Sequence, residues 1–556
     1  VANGRFGSAV AGSNFFSQGH IGGPSSTRDG RPDVLVGQPG ITQSALANAG
    51  RVILYFSNFT SAPTTWPTAP YLTLLGDSVT RGNLGISLDG LADYDGDGML
   101  DFAAGEPIWG AHGRVRLYSG RKLVSGADGG ILRNLAANDS NIVPVSLCPA
   151  QISIRFGWSV KNLANFQQNG LDQVAVGAPR SMEPLNCSNY SGSFFILDPN
   201  AGTNVFTSTA SGLNMIHQGN TSNNDVGFGQ SMAAGDFDRD GRVDLYASRP
   251  MAQWNFRMGG LWALSGRLLG ALWAWNAQIF RSDQSDTDSW NGTSIVGLGD
   301  TNSDGMDEIL MGSPGVTVNS QTRAGRAGII RSVPTSASAP GFSYTLDMAG
   351  SAQLNAMFGS VLANVGDVNG DEANDIAAGE PDFDGAGFTS NGRVTVYNSK
   401  TGARIATLTG AVDQERFGAS IAGVGDLNND GVADVAIGAP RAISDGGSTR
   451  AGRVYVYSGA SLSSTPVILF TLSGQVGDEQ FGYSIAALGD FARDGRPALA
   501  VGAPYTINGM HCNPGWQVGS GLATMCSLGT LGAQPGRVYI FRMPCRIDDP
   551  AACQSP

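Results

Sequence analysis

The chain has 556 residues, 79 of them glycine, with only 14% charged residues and a formal net charge of −12. That balance excludes a nucleic-acid partner gripped through its phosphates, which needs clustered Lys and Arg. No apolar run is long enough to span a bilayer and no secretory leader is present, so a mature, soluble chain without membrane insertion is expected.

Length alone would suggest three or four domains, but one pattern recurs eight times, at spacings of 59 to 78 residues, in or just above the range of propeller repeats. Copy one opens at Phe6-Gly7, keeps only Asp29 and Asp33 in its central loop, and reaches Gly37-Gln38-Pro39. Copy two opens at Leu84-Gly85, places Asp93, Asp95, Asp97 and Asp101 around Gly98, and continues to Gly105-Glu106-Pro107. Copy three opens at Phe156-Gly157 and has Asn165, Gln167, Asn169 and Gln173 at the same loop positions, before Gly177-Ala178-Pro179. Copy four opens at Phe228-Gly229, with Asp236, Asp238, Asp240 and Asp244 around Gly241, and departs to Ser248-Arg249-Pro250. Copy five opens at Asn291-Gly292, with Asp300, Asn302, Asp304 and Glu308 around Gly305, then Gly312-Ser313-Pro314. Copy six opens at Phe358-Gly359, with Asp367, Asn369, Asp371 and Asp375, but Glu372 where glycine is expected, then Gly379-Glu380-Pro381. Copy seven opens at Phe417-Gly418, with Asp426, Asn428, Asp430 and Asp434 around Gly431, then Gly438-Ala439-Pro440. Copy eight opens at Phe481-Gly482, keeps Asp490 and Asp494 but has Ala492 and Ala498, and ends on Gly502-Ala503-Pro504.

Each copy holds four short strand-like runs bounded by Gly, Pro, Asn and Asp; in the seventh they are ARIATLTG, GASIAGVG, ADVAIGA and GRVYVYS. This predicts an all-β fold, a β-propeller of eight blades with four antiparallel strands each. Seven blades plus an extra unit, and a stacked solenoid, are the alternatives. A single propeller is expected over 1–544, followed by a Cys-containing tail over 545–556. Copy one lacks a strand before Phe6, so the blade at the seam is expected to be one strand short or completed by the tail. An open edge there would accept a strand from another chain.

The acidic loops read D-x-[DN]-x-D-G-x-x-[DE] in copies two, four, five, six and seven. Side chains at alternate positions of a tight loop converge on one point, and Ca²⁺ takes about six to eight oxygen ligands on such loops. Glycine at position six permits the sharp turn. The seventh residue, Met99, Arg242, Met306, Ala373 or Val432, has a carbonyl to offer, and the ninth-position carboxylate closes the shell. About five calcium ions are expected. These are not EF-hands, because position twelve of copy two is Ala104 and a strand comes next. A solvated Asp/Asn/Gly turn is the alternative for one loop; five in the same register argue against it. Copies one, three and eight are expected to hold no tight Ca²⁺.

Six cysteines, Cys148, Cys187, Cys512, Cys526, Cys545 and Cys553, show no C-x-x-C spacing. Three disulfides in an oxidising compartment are expected, with buried thiols as the alternative. Sequons at Asn58, Asn138, Asn186, Asn189, Asn220 and Asn291 are no more frequent than chance. The four histidines, His20, His112, His217 and His511, share no motif position, and no nucleophile motif is present. Glu106 and Glu380 are the one paired-carboxylate candidate; a role in loop structure is the simpler reading, and no catalysis is expected. Trp66, Trp254, Trp273 and Trp275 lie in variable segments that suit recognition of a sugar or a protein, or filling between blades.

Phe-Gly, the acidic loop and Gly-x-Pro together resemble the FG-GAP repeat of integrin α-subunit propellers, over nearly the whole chain. The resemblance implies a β-propeller with Ca²⁺ in its blade loops, usually extracellular and used for adhesion or ligand binding. Eight copies, where integrin heads have seven blades, and no leg domains argue against an integrin subunit as such. The expectation is a secreted or cell-surface, calcium-stabilised, non-catalytic binding module whose partner is a protein or glycan ligand, or itself as a homo-oligomer or filament. A self-assembling structural subunit of an extracellular filament or surface layer, and a carbohydrate-binding lectin, are the alternatives.

Overall fold

A computed structural model describes residues 9–12, 34–39, 49–55, 72–77, 82–110, 112–125, 127–136, 154–180, 192–200, 203–207, 227–250, 260–266, 268–269, 272–273, 276–279, 290–333, 341–443, 449–474, 477, 479–489, 497–504, 517–518, 522–525 and 537–542. The chain is all-β in class, with one short α-helix, Gly120–Ser125, among the described residues. Among the described residues no helix is long and apolar enough to cross a membrane.

The described strands form eight sheets of at least four antiparallel strands, the blades of a β-propeller fold, which decides for eight blades over seven. In blade 7 the sheet order is Ser420–Gly425, Asp434–Ala439, Arg453–Tyr457 and Ile468–Ser473. The phase of the repeat differs from the sequence reading. The run ARIATLTG, read as the opening strand of copy seven, is Arg404–Thr409, and it pairs with Arg393–Tyr397 as the fourth strand of blade 6. Each run ahead of a Phe-Gly motif therefore closes the preceding blade. Copy one is complete on this phasing, because Leu72–Leu75 pairs with Arg51–Tyr55.

The shortage falls on blade 8, where a segment from within the chain takes the place beside the last strand. Leu522–Met525, from the segment between the second and third strands, pairs with Arg537–Arg542. Gln517–Val518 pairs in turn with Leu522–Met525 and makes that sheet five-stranded. The fourth place is thus taken out of chain order, by a hairpin that the strand count had passed over.

The chain forms two compact units, Val1–Leu88 with Ala363–Asn398 and Ala403–Pro556, and Asp89–Leu362 with Ser399–Gly402. Blades 1, 6, 7 and 8 lie in the first and blades 2 to 5 in the second. First strands of successive blades lie side by side for blades 3, 4 and 5 and for blades 7 and 8, and in the first unit Ala9–Gly12 of blade 1 lies beside Ser484–Gly489 of blade 8.

The second strand of blades 2, 3, 5, 6, 7 and 8 is buried at all six positions, as in DVAIGA, because it packs against neighbours on both faces. Cores therefore form between blades: Val394, Val396, Phe417, Val435 and Ile437 make one cluster from blades 6 and 7. Burying a residue such as Phe417 contributes about 1.5–3 kcal/mol.

The glycines of the repeat are explained by backbone packing. Gly418 donates its N–H to the Gly438 carbonyl of its own blade at 2.9 Å. Gly438 in turn packs so closely on the Gly482 carbonyl of the next blade that a side chain there would collide with it. The same approach recurs for Gly37 on Gly85, Gly177 on Gly229 and Gly312 on Gly359. The two halves of the signature are one inter-blade contact, which only glycine allows on both sides.

Candidate metal centres

The acidic loops leave the first strand of a blade and lead into the second. In blades 5 and 7 a bulge at Gly299 and at Gly425 ends the ladder just before the loop's first aspartate, and a bulge of this kind bends the strand and turns the chain into the loop.

Position one organises each loop. In blade 2, Asp93 Oδ1 accepts the Gly96 and Asp97 N–H groups at 2.8 and 3.1 Å, and Oδ2 accepts that of Gly98 at 3.0 Å. Asp236, Asp300, Asp367 and Asp426 accept the sixth-residue N–H in the same way, at 2.9, 2.8, 2.7 and 2.8 Å. Position five accepts the N–H of the seventh residue in every loop, Asp97 from Met99, Asp240 from Arg242, Asp304 from Met306, Asp371 from Ala373 and Asp430 from Val432. The sixth residue is left-handed throughout, at φ 78° for Gly98 and Gly241 and 87° for Gly305 and Gly431. Glu372 adopts the same conformation at φ 69°, so blade 6 makes the turn without its glycine.

Position nine is the buried anchor. Asp101 accepts the Tyr94 and Gly120 N–H groups, both at 2.9 Å; Asp244 accepts those of Phe237 and Gly266, both at 2.8 Å; Asp434 accepts those of Leu427 and Gly459 at 2.8 and 3.0 Å. Asp375 accepts the Val368 N–H at 3.1 Å, and Glu308 that of Thr301 at 2.7 Å. Burial, opposed by these hydrogen bonds, pushes Asp101 and Asp244 up to about 8 and Asp434 up to about 7, with the other loop aspartates adding to the rise. Burial likewise raises Glu308.

Three trios bring one ligand atom each within 4.8 Å of one another: Asp93, Asp95 and Asp101; Asp236, Asp238 and Asp244; Asp300, Asp304 and Glu308. That spacing suits a cation with oxygen ligands at about 2.3–2.6 Å. In blades 5, 6 and 7, asparagine takes position three: Asn302 donates to Glu308 at 2.9 Å, Asn369 to Asp375 at 3.3 Å and Asn428 to Asp430 at 2.8 Å. Some loop carboxylates also meet a cationic or polar side chain: Arg121 donates to Asp97 at 2.7 Å, and Asn398 donates to Asp371.

Blade 3 shows what the loop does without carboxylates. Asn165 accepts the Gly170 N–H at 2.9 Å and Asn169 that of Leu171 at 3.0 Å, so the turn has the acidic pattern. At its centre the buried Gln173 donates from Nε2 to the Leu171 carbonyl at 2.8 Å and to Asn169 Oδ1 at 3.3 Å. Those acceptors occupy positions seven and five, two of the expected ligand positions. An amide N–H₂ thus supplies here the positive partner that the acidic loops would draw from a cation, which is why the acidic donor sets fit a divalent ion.

Other expected sites resolve differently. Glu106 is fully buried and held by Arg114 at 2.5 Å and Arg116 at 3.0 Å, and Glu380 by Arg393 at 2.5 Å. These are cross-strand ion pairs, not a carboxylate pair facing a substrate. Asn291 is 1% exposed in the Phe place of its motif, so that sequon is closed to a glycan in the folded chain. The six cysteines, the other five sequons, His20, His217, His511, Trp66, Trp254, Trp275, Asp29, Asp33, Asp490, Ala492 and Asp494 lie outside the described residues. Trp273 sits in the short strand Leu272–Trp273 of a small hairpin. Sequence reasoning missed position eight, where Asp172 and Asp307 reach across to the neighbouring blade. In the sequence both simply stand beside the ninth residue of copies three and five, and nothing local says what they reach.

Fold and loops together define a repeat propeller with acidic cation-type loops. Residues 417–457 match the FG-GAP repeat family. The chain is similar to chicken (Gallus gallus) integrin alpha-V, 32% identical over 227 residues, covering 39% of this chain and 20% of the relative. It is similar to Xenopus laevis integrin alpha-5, 36% identical over 161 residues, covering 28% of this chain and 15% of the relative. It carries an FG-GAP repeat and is similar over part of its length to integrin α-subunits, and it spans a fifth or less of the length of these curated relatives. Among solved structures, a rhamnogalacturonan lyase of Bacillus licheniformis superposes over 85% of this chain and 75% of its own, at 12% identity and a TM-score of 0.37; a superposition that loose assigns no activity.

Proposed function

We propose that the chain is an extracellular or cell-surface, calcium-stabilised, non-catalytic binding module that engages a protein or glycan ligand. The observation that carries the calcium part is the contrast between the loops. Five copies repeat one acidic hydrogen-bonding pattern, while blade 3 keeps the same turn and closes it with the Gln173 amide. Residues 93–101, 236–244, 300–308, 367–375 and 426–434 would each hold one ion, through the side chains at positions one, three, five and nine and the carbonyl at seven. The ion supplies positive charge at the loop centre; the chain's own groups set the loop shape before it arrives. The adhesion part rests on likeness to integrin α-subunits over part of the chain, and the Arg-paired Glu106 and Glu380 speak against hydrolysis by a carboxylate pair.

The test is a calcium titration of the full chain by calorimetry, with thermal melts in calcium and in chelator. About five bound ions and a melting temperature that falls in chelator are expected. An unchanged melting temperature would overturn the stabilising role. Light scattering of the calcium-loaded chain should show a discrete species; large assemblies would replace the binding module with a structural subunit.

A further inference from the structure

Position eight links neighbouring loops. In blade 5 it is Asp307, whose N–H donates to the Asp236 carbonyl at 2.7 Å while its Oδ2 accepts the Asp236 N–H at 2.9 Å. Asp236 is position one of the blade 4 loop, so both of its backbone groups are held by the blade 5 loop. The peptide joining Met306 to Asp307 is shared: its oxygen belongs to the seventh position of blade 5, and its N–H reaches blade 4. Hydrogen bonds in such chains polarise one another, so fixing one loop steadies the other.

The arrangement recurs with instructive differences. In blade 3, Asp172 donates its N–H to the Asp93 carbonyl of blade 2 at 3.2 Å and accepts the Asp93 N–H at 2.8 Å. That loop is already closed by Gln173, so the blade 2 loop leans on a neighbour that needs no ion. In blade 7, Ala433 keeps the backbone bond to Asp367 of blade 6 at 3.0 Å but has no carboxylate to accept in return.

We propose that the position-eight carboxylates make the cation sites unequal: the loops of blades 4 and 5 fill as a coupled pair through Asp307, and the blade 2 loop fills independently, propped through Asp172. This rests on the calcium reading of the loops and adds to it a rule for which sites communicate. The pair's coupling is reciprocal, since a factor by which one ion favours the other must act in both directions.

The experiment is a chelator-competition calcium titration of the full-length chain and its variants, with circular dichroism to check that each folds. Glu308→Gln disables the blade 5 loop. It should also weaken one remaining site, by about fivefold or more, the usual lower range for coupled sites. In an Asp307→Ala background the same Glu308→Gln change should leave the remaining sites where they are. Asp307→Asn, which keeps an acceptor oxygen, should retain most of the coupling, and this arm stands even if the alanine variant does not fold. Asp172→Ala should weaken a single site. Remaining affinities in Glu308→Gln equal to those of the wild type would overturn the coupling. A wild-type chain that binds no calcium would instead overturn the reading beneath it, so the two failures are distinct.

Discussion

A methyl group on Gly438 would collide with the Gly482 carbonyl oxygen of the next blade and with Ser420 Oγ of its own. The first obstacle is backbone, so the strain is not relieved by a rotamer change. Gly438→Ala should therefore cost about 1–3 kcal/mol, as overpacking does, read as a lower urea midpoint; a midpoint within error of wild type would refute the contact as the reason for the glycine. Glu415 sets a different constraint. It is buried, accepts the Val412 N–H at 3.0 Å and the Tyr455 hydroxyl at 3.3 Å, and burial raises its carboxyl from the usual value. A raised folded value means the protonated form is favoured by folding. That contribution is complete below the unfolded value of about 4.3 and is lost as pH rises through the folded one. Glu415→Gln does not titrate, so wild type should lose stability relative to the variant as pH rises out of the acid range. Urea midpoints measured across that range check it, and parallel curves would refute it. The sequence disclosed the glycines as a motif but not Glu415, whose burial depends on the strand Arg453–Tyr457 folded beside it.

Strand existence was legible and strand membership was not. Short Val- and Ile-rich runs between glycines marked the strands of copy seven, yet a run such as ARIATLTG carries nothing in its own residues to say whether it pairs with the strand before or after it. Hydrogen bonding to Arg393–Tyr397 decides that, and so moves the shortage of strands from the first blade to the last. The blade 8 substitute was hidden for the same reason: Leu522–Met525 precedes in sequence the strand it flanks in space. An unpaired strand edge invites another chain. Replacing residues 517–525 by a Gly/Ser linker should uncover the edge of Arg537–Arg542 and convert a discrete species into dimers or larger assemblies in light scattering coupled to gel filtration. An unchanged mass would mean that the edge is protected by something other than this hairpin.

At the scale of the molecule the acidic loops are an electrostatic load as much as a set of sites. Seventeen carboxylates occupy their side-chain ligand positions in a chain of formal charge −12. Carboxylates in one loop approach within 4.8 Å, and like charges about 4 Å apart repel by about 4 kcal/mol at the effective dielectric near a protein surface. The loop positions and their acidic character could be read from the sequence, because the register of alternate carboxylates survives in five copies. Which loops touch could not, because Asp172 and Asp307 look like ordinary loop residues until the neighbouring blade is in place. The load predicts a salt effect of definite sign. Raising ionic strength from about 0.01 to about 1 M shortens the screening length from about 30 to about 3 Å, so the chelated chain should gain melting temperature as salt screens its unbalanced loops. The calcium-loaded chain, whose five ions would carry ten positive charges into those loops, should gain much less. Salt also strengthens apolar burial in both forms, so the quantity to measure is the difference between the two salt slopes. Equal slopes would mean that the carboxylates are already balanced by the chain's own donors, as Gln173 balances blade 3, and that the acidic loops carry no charge a cation must answer.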